Sequence, residues 1–188
     1  MRIMKKQLWM DLEMTGLDEN IHKIIEIAAI VTDVNGKPLD EYHQVVYQPK
    51  EALDLMDDWC VKTHGSSGLT EQIPNGKPLE EVEEELVKFL SKNFERNQRP
   101  VLAGNSIWND RKFIDKYLPR ISKRLHYRMI DVSSFKEVFR EKWGLKVEKN
   151  NSHRATDDIL DSIKELKEYL TYVDEQKIQK AVKVQKDN

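Results

Sequence analysis

From Ile24 to Thr32 the chain runs Ile-Ile-Glu-Ile-Ala-Ala-Ile-Val-Thr, and a β-branched, apolar run of that length reads as a buried strand. Its neighbours are constrained in turn. Upstream, Leu8, Met10 and Leu12 alternate with Trp9, Asp11 and Glu13, the period of two that marks a strand and that puts Asp11 and Glu13 on one face. Met14-Thr15-Gly16-Leu17-Asp18 reads as the turn between the two. Downstream, Asn35-Gly36 is a tight-turn signal, and Tyr42 to Tyr47 reads as the returning strand of a hairpin. The chain is expected to open as an antiparallel meander of three strands.

After the meander the pattern changes. Residues 51–64 have helical character and end at Gly65, and Ser66 to Pro78, rich in Ser, Gly, Pro and Asn, reads as loop. Leu79, Val82, Leu86, Phe89 and Leu90 form an apolar stripe at helical spacing through Phe94. Short strands at Val101 to Gly104 and Arg128 to Val132 alternate with helices after Ser106, stopped by Pro119, and from Ser133 to about Trp143. Gly144 to Ser152 reads as loop, and a last helix carries Ile159, Ile163, Leu166 and Leu170 on one face. Strands of a meander followed by strands alternating with helices give an α/β fold, a mixed β-sheet flanked by helices on both faces.

With 188 residues and 39% hydrophobic content, the chain can bury one sizeable core. A single domain over residues 1–174 is expected, with the Lys- and Gln-rich residues 175–188 as a flexible tail. No apolar run approaches the roughly 18 residues of a membrane span, and Asp11 interrupts any signal-peptide core near the start. The reading is therefore a soluble, cytoplasmic protein. One cysteine, Cys60, excludes an internal disulfide and argues against a thiolate metal site.

A net charge of −2 hides an uneven distribution: residues 1–91 carry 9 Lys/Arg and 18 Asp/Glu, whereas residues 92–154 carry 16 and 7. That pattern suits metals on acids with phosphates lying against Lys and Arg, although solvated helix faces would give the same count. Three elements carry chemistry. Asp11 and Glu13 project together from a strand and offer the hard oxygens that Mg²⁺ or Mn²⁺ takes. Asp110, closing Ala103-Gly104-Asn105-Ser106-Ile107-Trp108-Asn109-Asp110, sits at a helix start. His153-Arg154-Ala155-Thr156-Asp157-Asp158 sits at another helix entrance. Each has an ordinary explanation: an outward strand acid, an acid on a helix dipole, and a cap by Thr156 or Asp157.

Taken together, Leu8-Trp9-Met10-Asp11-Leu12-Glu13-Met14-Thr15-Gly16-Leu17, Gly104-Asn105-Ser106, His126-Tyr127-Arg128 running into Ile130-Asp131-Val132-Ser133, and Ser152-His153-Arg154-Ala155 running into Asp157-Asp158-Ile159 resemble the DEDDh 3′-to-5′ exonuclease superfamily. Within it they are similar to the oligoribonuclease family, over about residues 7–172. The resemblance implies a ribonuclease H-like fold and a homodimer. It implies that Asp11, Glu13, Asp110 and Asp158 hold two divalent ions, Mg²⁺ or Mn²⁺, with His153 as general base and Asp157 a cap or a support behind the ligands. Leu17 and Trp59 match positions that contact or wedge bases, although Trp59 could equally be core. His64 matches one near the scissile end. Ser106, Arg128, Ser133 and, from a neighbouring subunit, Tyr127 match a grip on the substrate's 5′-phosphate. The chain departs from the common pattern at Trp108-Asn109, where smaller or polar residues are usual. The implied substrate is very short single-stranded RNA, dinucleotides included. The alternatives are an exonuclease trimming longer RNA or DNA ends and a non-catalytic nucleic-acid-binding domain.

Overall fold

The computed structural model describes residues 6–148 and 153–186. Positions 149–152, the end of the expected loop from Gly144, lie outside the described residues, as do residues 1–5 and 187–188.

The meander forms as expected. Strands β1 (Gln7–Met14), β2 (Ile24–Thr32) and β3 (Pro38–Val45) pair antiparallel, with β2 buried along its whole length. The hairpin between β2 and β3 is set by Asp33, whose Oδ1 accepts from the amides of Asn35 and Lys37 at 2.8 and 2.9 Å. Gly36 supplies the left-handed residue there at φ 69°. Two short strands, β4 (Leu102–Gly104) and β5 (Met129–Asp131), add in parallel on the far side of β1, giving the order β3-β2-β1-β4-β5. β1 is therefore central, antiparallel to one neighbour and parallel to the other.

In chain order the helices of the described residues are α1 (Lys50–Leu53), α2 (Asp58–Ser66), α3 (Leu69–Gln72), α4 (Leu79–Asn93), α5 (Trp108–Tyr117), α6 (Pro119–Ser122), α7 (Val132–Trp143), α8 (Ala155–Thr171) and α9 (Glu175–Lys186). Alternation along β1 divides the interior in two. Leu8, Met10, Leu12 and Met14 face a core filled by Val82, Leu86 and Phe89 of α4, Phe113 and Ile114 of α5 and Ile121 of α6. Trp9, Ala28, Ile30 and Ala103 face the opposite core, built on Ile159, Ile163, Leu166 and Tyr169 of α8 (Ala155–Thr171), with Val132 and Phe135 of α7 (Val132–Trp143). Helices thus cover both faces, and Asp11 and Glu13 share the α8 side with Trp9.

Three local expectations are corrected. The helix expected over residues 51–64 is two helices, Lys50–Leu53 and Asp58–Ser66. Asp57 starts the second by accepting from the Cys60 amide at 2.7 Å, and that cap wins over continuation. The loop from Ser66 to Pro78 contains the helical turn Leu69–Gln72 and the 3-10 turn Ile73–Asn75, because Leu69 and Ile73 are fully buried against Ile25 and Val45. Leu170 is 48% exposed, and Tyr169 takes the core position beside it. Beyond Asp174 the chain forms a largely exposed helix, Glu175–Lys186. No helix among the described residues is long and apolar enough to cross a membrane.

Candidate active site

β1 and α8 bring three carboxylates together. Asp11 and Glu13 from the strand and Asp158 from the first turn of the helix each place an oxygen within 4.8 Å of the others. Desolvation, Asp110 and the neighbouring carboxylates push the Asp11 carboxyl well above its ordinary range. Burial first, then Asp158, Glu26 and Asp110, raise Glu13 to about 8. A cluster whose members resist ionising together, made only of hard oxygen donors, fits a divalent cation, whose charge removes the repulsion.

Asp110 is held differently. β1 pairs with β4 only through Leu8 and Trp9, so beyond that point the amides on this edge of β1 face no strand, while its other edge stays paired with β2. Asp110 Oδ1 accepts the Leu12 amide at 2.9 Å and takes the place of that missing strand. Burial raises this carboxyl to about 7, against the pull of the Leu12 amide. Asp110 therefore stands beside the cluster, felt electrostatically at Asp11, without belonging to the three oxygens that converge.

His153 enters α8 with a left-handed φ of 52°. Its ring lies edge-on to Trp59, with centroids 5.8 Å apart at 84°. Trp59 is 61% exposed and Leu17 65%, so Trp59 is not core. Both line a cleft of about 500 Å³ together with Glu13, His22 and His64. His64 is buried, and burial lowers its pKa. Its neutral ring donates from Nε2 to the Met14 carbonyl at 3.0 Å, leaving Nδ1 without a hydrogen bond, 3.8 Å from Glu13 Oε2.

Ser106 and Ser133 come together at the ends of β4 and β5. Ser106, at φ 47°, donates its amide to Asp131 Oδ1 and to Ser133 Oγ at 3.0 and 2.8 Å, and the two hydroxyls are 3.1 Å apart. Arg128 is exposed, and its Nε donates to the hydroxyl of Tyr127 in the same chain at 2.9 Å. Tyr127 is 75% exposed and stacked on His126. Trp108 is half-exposed, with the Lys112 ammonium 4.8 Å from its ring and 3.5 Å from the Leu17 carbonyl oxygen, so it flanks the Leu17 turn.

Neither Thr156 nor Asp157 caps α8. Its N-cap is Arg154, without a side-chain cap bond, and Asp157 is exposed. The Ala155 amide donates instead to Glu26 Oε2 at 3.0 Å. Glu26 is a polar residue of this region that the motifs did not flag. Burial opposes its charge, but bonds from His43, Arg154 and Ala155 outweigh it and hold the carboxyl at about 2. Its one visible signal was an acid within an apolar strand. Asn105 stood in a motif without a role, and Ser162 and Glu165 in none; Asn105 Nδ2 donates to Ser162 Oγ at 2.7 Å and to Glu165 Oε2 at 3.0 Å, behind the serine pair.

Residues 8–166 match the family described as Exonuclease (RNase_T). A protein named oligoribonuclease from Francisella tularensis subsp. tularensis (strain WY96-3418) is 46% identical over 166 residues, covering 86% of this chain and 92% of that protein. One of the same name from Marinobacter nauticus is 45% identical over 168 residues, with the same coverage. Among solved structures, exonuclease I of Methylocaldum szegediense superposes with a TM-score of 0.69 at 14% identity, over 89% of this chain and 40% of that one. Exonuclease I of E. coli, in complex with a 5cy-dT13 oligonucleotide, does so at 0.68 and 12%, over 89% and 41%. The chain thus spans about two fifths of these larger structures, and the shared part is the ribonuclease H-like fold. The family match and these identities, on a sheet that gathers the acids of the motif, establish that the chain belongs to the exonuclease family in which the oligoribonucleases fall.

Proposed function

We propose that the protein is a 3′-to-5′ exoribonuclease that hydrolyses very short RNA, dinucleotides included, to nucleoside 5′-monophosphates. The observation that carries this reading is the convergence of Asp11, Glu13 and Asp158 beside a cleft lined by the exposed Leu17 and Trp59.

Two divalent ions, Mg²⁺ or Mn²⁺, would supply charge stabilisation to the attacking and leaving oxygens of an in-line displacement. Asp11, Glu13 and Asp158 would hold them, with Asp110 as the fourth acid. His153 accepts the proton of the attacking water as its oxygen bonds to phosphorus, and the 3′-oxygen of the preceding nucleoside departs. Leu17 and Trp59 offer apolar faces to the terminal bases, and His64 lies towards the scissile end of the substrate. Ser106, Ser133 and Arg128 close on the 5′-phosphate, where the planar fork of arginine suits phosphate oxygens. Tyr127 of a second subunit completes that grip in a cytoplasmic homodimer.

The test is a time course on 5′-labelled RNAs from dinucleotide to heptanucleotide beside a longer single strand, with and without chelator. Fastest turnover of the shortest substrates, abolished by chelation, is expected. Equal rates at every length would favour a general exonuclease, and no hydrolysis at all would favour a binding domain.

A further inference from the structure

We infer that Glu26 and Arg154 form a positioning latch for the active site, in which one buried carboxylate fixes both the turn that carries His153 and the first turn of the helix that carries Asp158. The inference rests on the roles given above to those two residues.

Glu26 lies in β2 directly opposite Glu13 in the strand register, and its side chain is fully buried. Oε1 accepts from Arg154 Nη2 at 2.6 Å, Arg154 Nε at 3.0 Å and His43 Nε2 at 2.7 Å, while Oε2 accepts from the Ala155 amide at 3.0 Å. A buried carboxylate is costly unless donors surround it, and here every donor but His43 comes from residues 154 and 155. Those two residues separate His153 from the body of α8.

The latch acts on the backbone as well as on charge. α8 has no side-chain cap of its own, so Glu26 supplies from another element the acceptor that its first amide needs. His153 holds a left-handed φ that an ordinary L-residue adopts only under strain. Such a conformation persists only where the adjoining chain is fixed. Arg154, in extended backbone at φ −127°, is tied to Glu26 and reaches Gln72 Oε1 at 3.4 Å. One side of the turn is thereby anchored to the sheet while the His153 ring rests against Trp59. Because Glu26 and Glu13 are cross-strand partners, the same carboxylate also spans the distance between the two halves of the acid cluster. Glu26 and Arg154 are positioning residues, acting through the residues they hold.

The experiment uses Arg154→Ala and Arg154→Lys in the full chain, since the Arg154 side chain is one-quarter exposed and lies outside the apolar cores. Glu26→Gln serves as a second route to the same break. In metal-free protein labelled at histidine Cε1, Arg154→Ala is expected to move the His153 resonance, assigned by its loss in His153→Ala, while those of His22 and His126 stay in place. With dinucleotide substrate, kcat should fall about 10–100-fold, the usual effect of removing support behind a metal site, with KM within about twofold. Arg154→Lys should recover part of the loss, keeping charge without the fork. Combining Arg154→Ala with Glu26→Gln should cost no more than the worse single change. An unmoved His153 resonance with normal kcat would overturn the latch, and so would a shift of all the histidine resonances together. If the wild-type chain hydrolyses no RNA, the proposed function fails while the resonance measurement still decides the latch.

Discussion

Glu13 and Glu26 face each other across one strand pair, yet one carboxyl is raised to about 8 and the other held at about 2. The difference is in the donors: desolvation and three other acids act on Glu13, whereas Arg154, His43 and an amide surround Glu26. Of this pair Glu13, not Glu26, is the acid whose charge the fold opposes. Asp11→Asn or Asp158→Asn should leave a folded chain without measurable turnover, checked by circular dichroism beside the RNA assay; near-normal activity in either variant would refute the site. His153→Ala should slow hydrolysis about 10²–10⁴-fold at neutral pH, as expected for a positioned general base. Calorimetric Mn²⁺ binding to that variant should be nearly unchanged, and its disappearance would make His153 a ligand. Arg128→Ala should weaken dinucleotide cleavage far more than cleavage of a longer strand, and an equal loss at both lengths would remove the phosphate grip.

β1 shows how far an element can be read from its letters. Its alternation told which face Asp11 and Glu13 occupy, because a half-buried strand must separate apolar from polar side chains. The same reasoning located β2 and the turn at Asn35-Gly36. Asp110 was legible as an acid at a helix start, but not as the acceptor for Leu12, because that depends on β4 stopping at Gly104. The break between Leu53 and Asp58 was hidden for a similar reason, since a cap at Asp57 and a continuing helix place apolar residues alike. Glu26 was passed over because a strand pattern says nothing of an arginine more than a hundred positions away. Gly76 offers an element-scale test. A Cβ there would lie 2.6 Å from the Tyr47 amide nitrogen and 2.8 Å from the Val45 carbonyl oxygen, all backbone of the chain leaving β3. Gly76→Ala should therefore lower stability by about 1–3 kcal/mol, the usual cost of overpacking. Urea unfolding measures it, and an unchanged midpoint would mean that the chain after β3 yields without cost.

For the molecule as a whole, the acid cluster sets how stability depends on pH. Below pH 4.5 Glu13 is protonated whether folded or not, and its burial costs nothing. From 4.5 up to about 8 the folded chain keeps a proton that the unfolded chain has released, so stability falls as pH rises and levels off above 8. Glu26 works the other way at lower pH, its contribution present above 4.5 and lost as pH falls towards 2. In chelator, Tm should drop between pH 5 and pH 8, and at pH 8 Mg²⁺ or Mn²⁺ should raise it by about 2–8 °C, as 1–2 kcal/mol would in a chain of this size. A flat profile, or equal stabilisation by metal at pH 5, would mean that the cluster is not strained. The sheet order has a temporal consequence too. Asp11 and Glu13 come with the meander, whose contacts are local and form early, whereas α8 brings Asp158 from more than a hundred positions further along. The trio therefore converges only once the opening meander and α8 have packed on one another, so the acids of the hairpin alone make no such cluster.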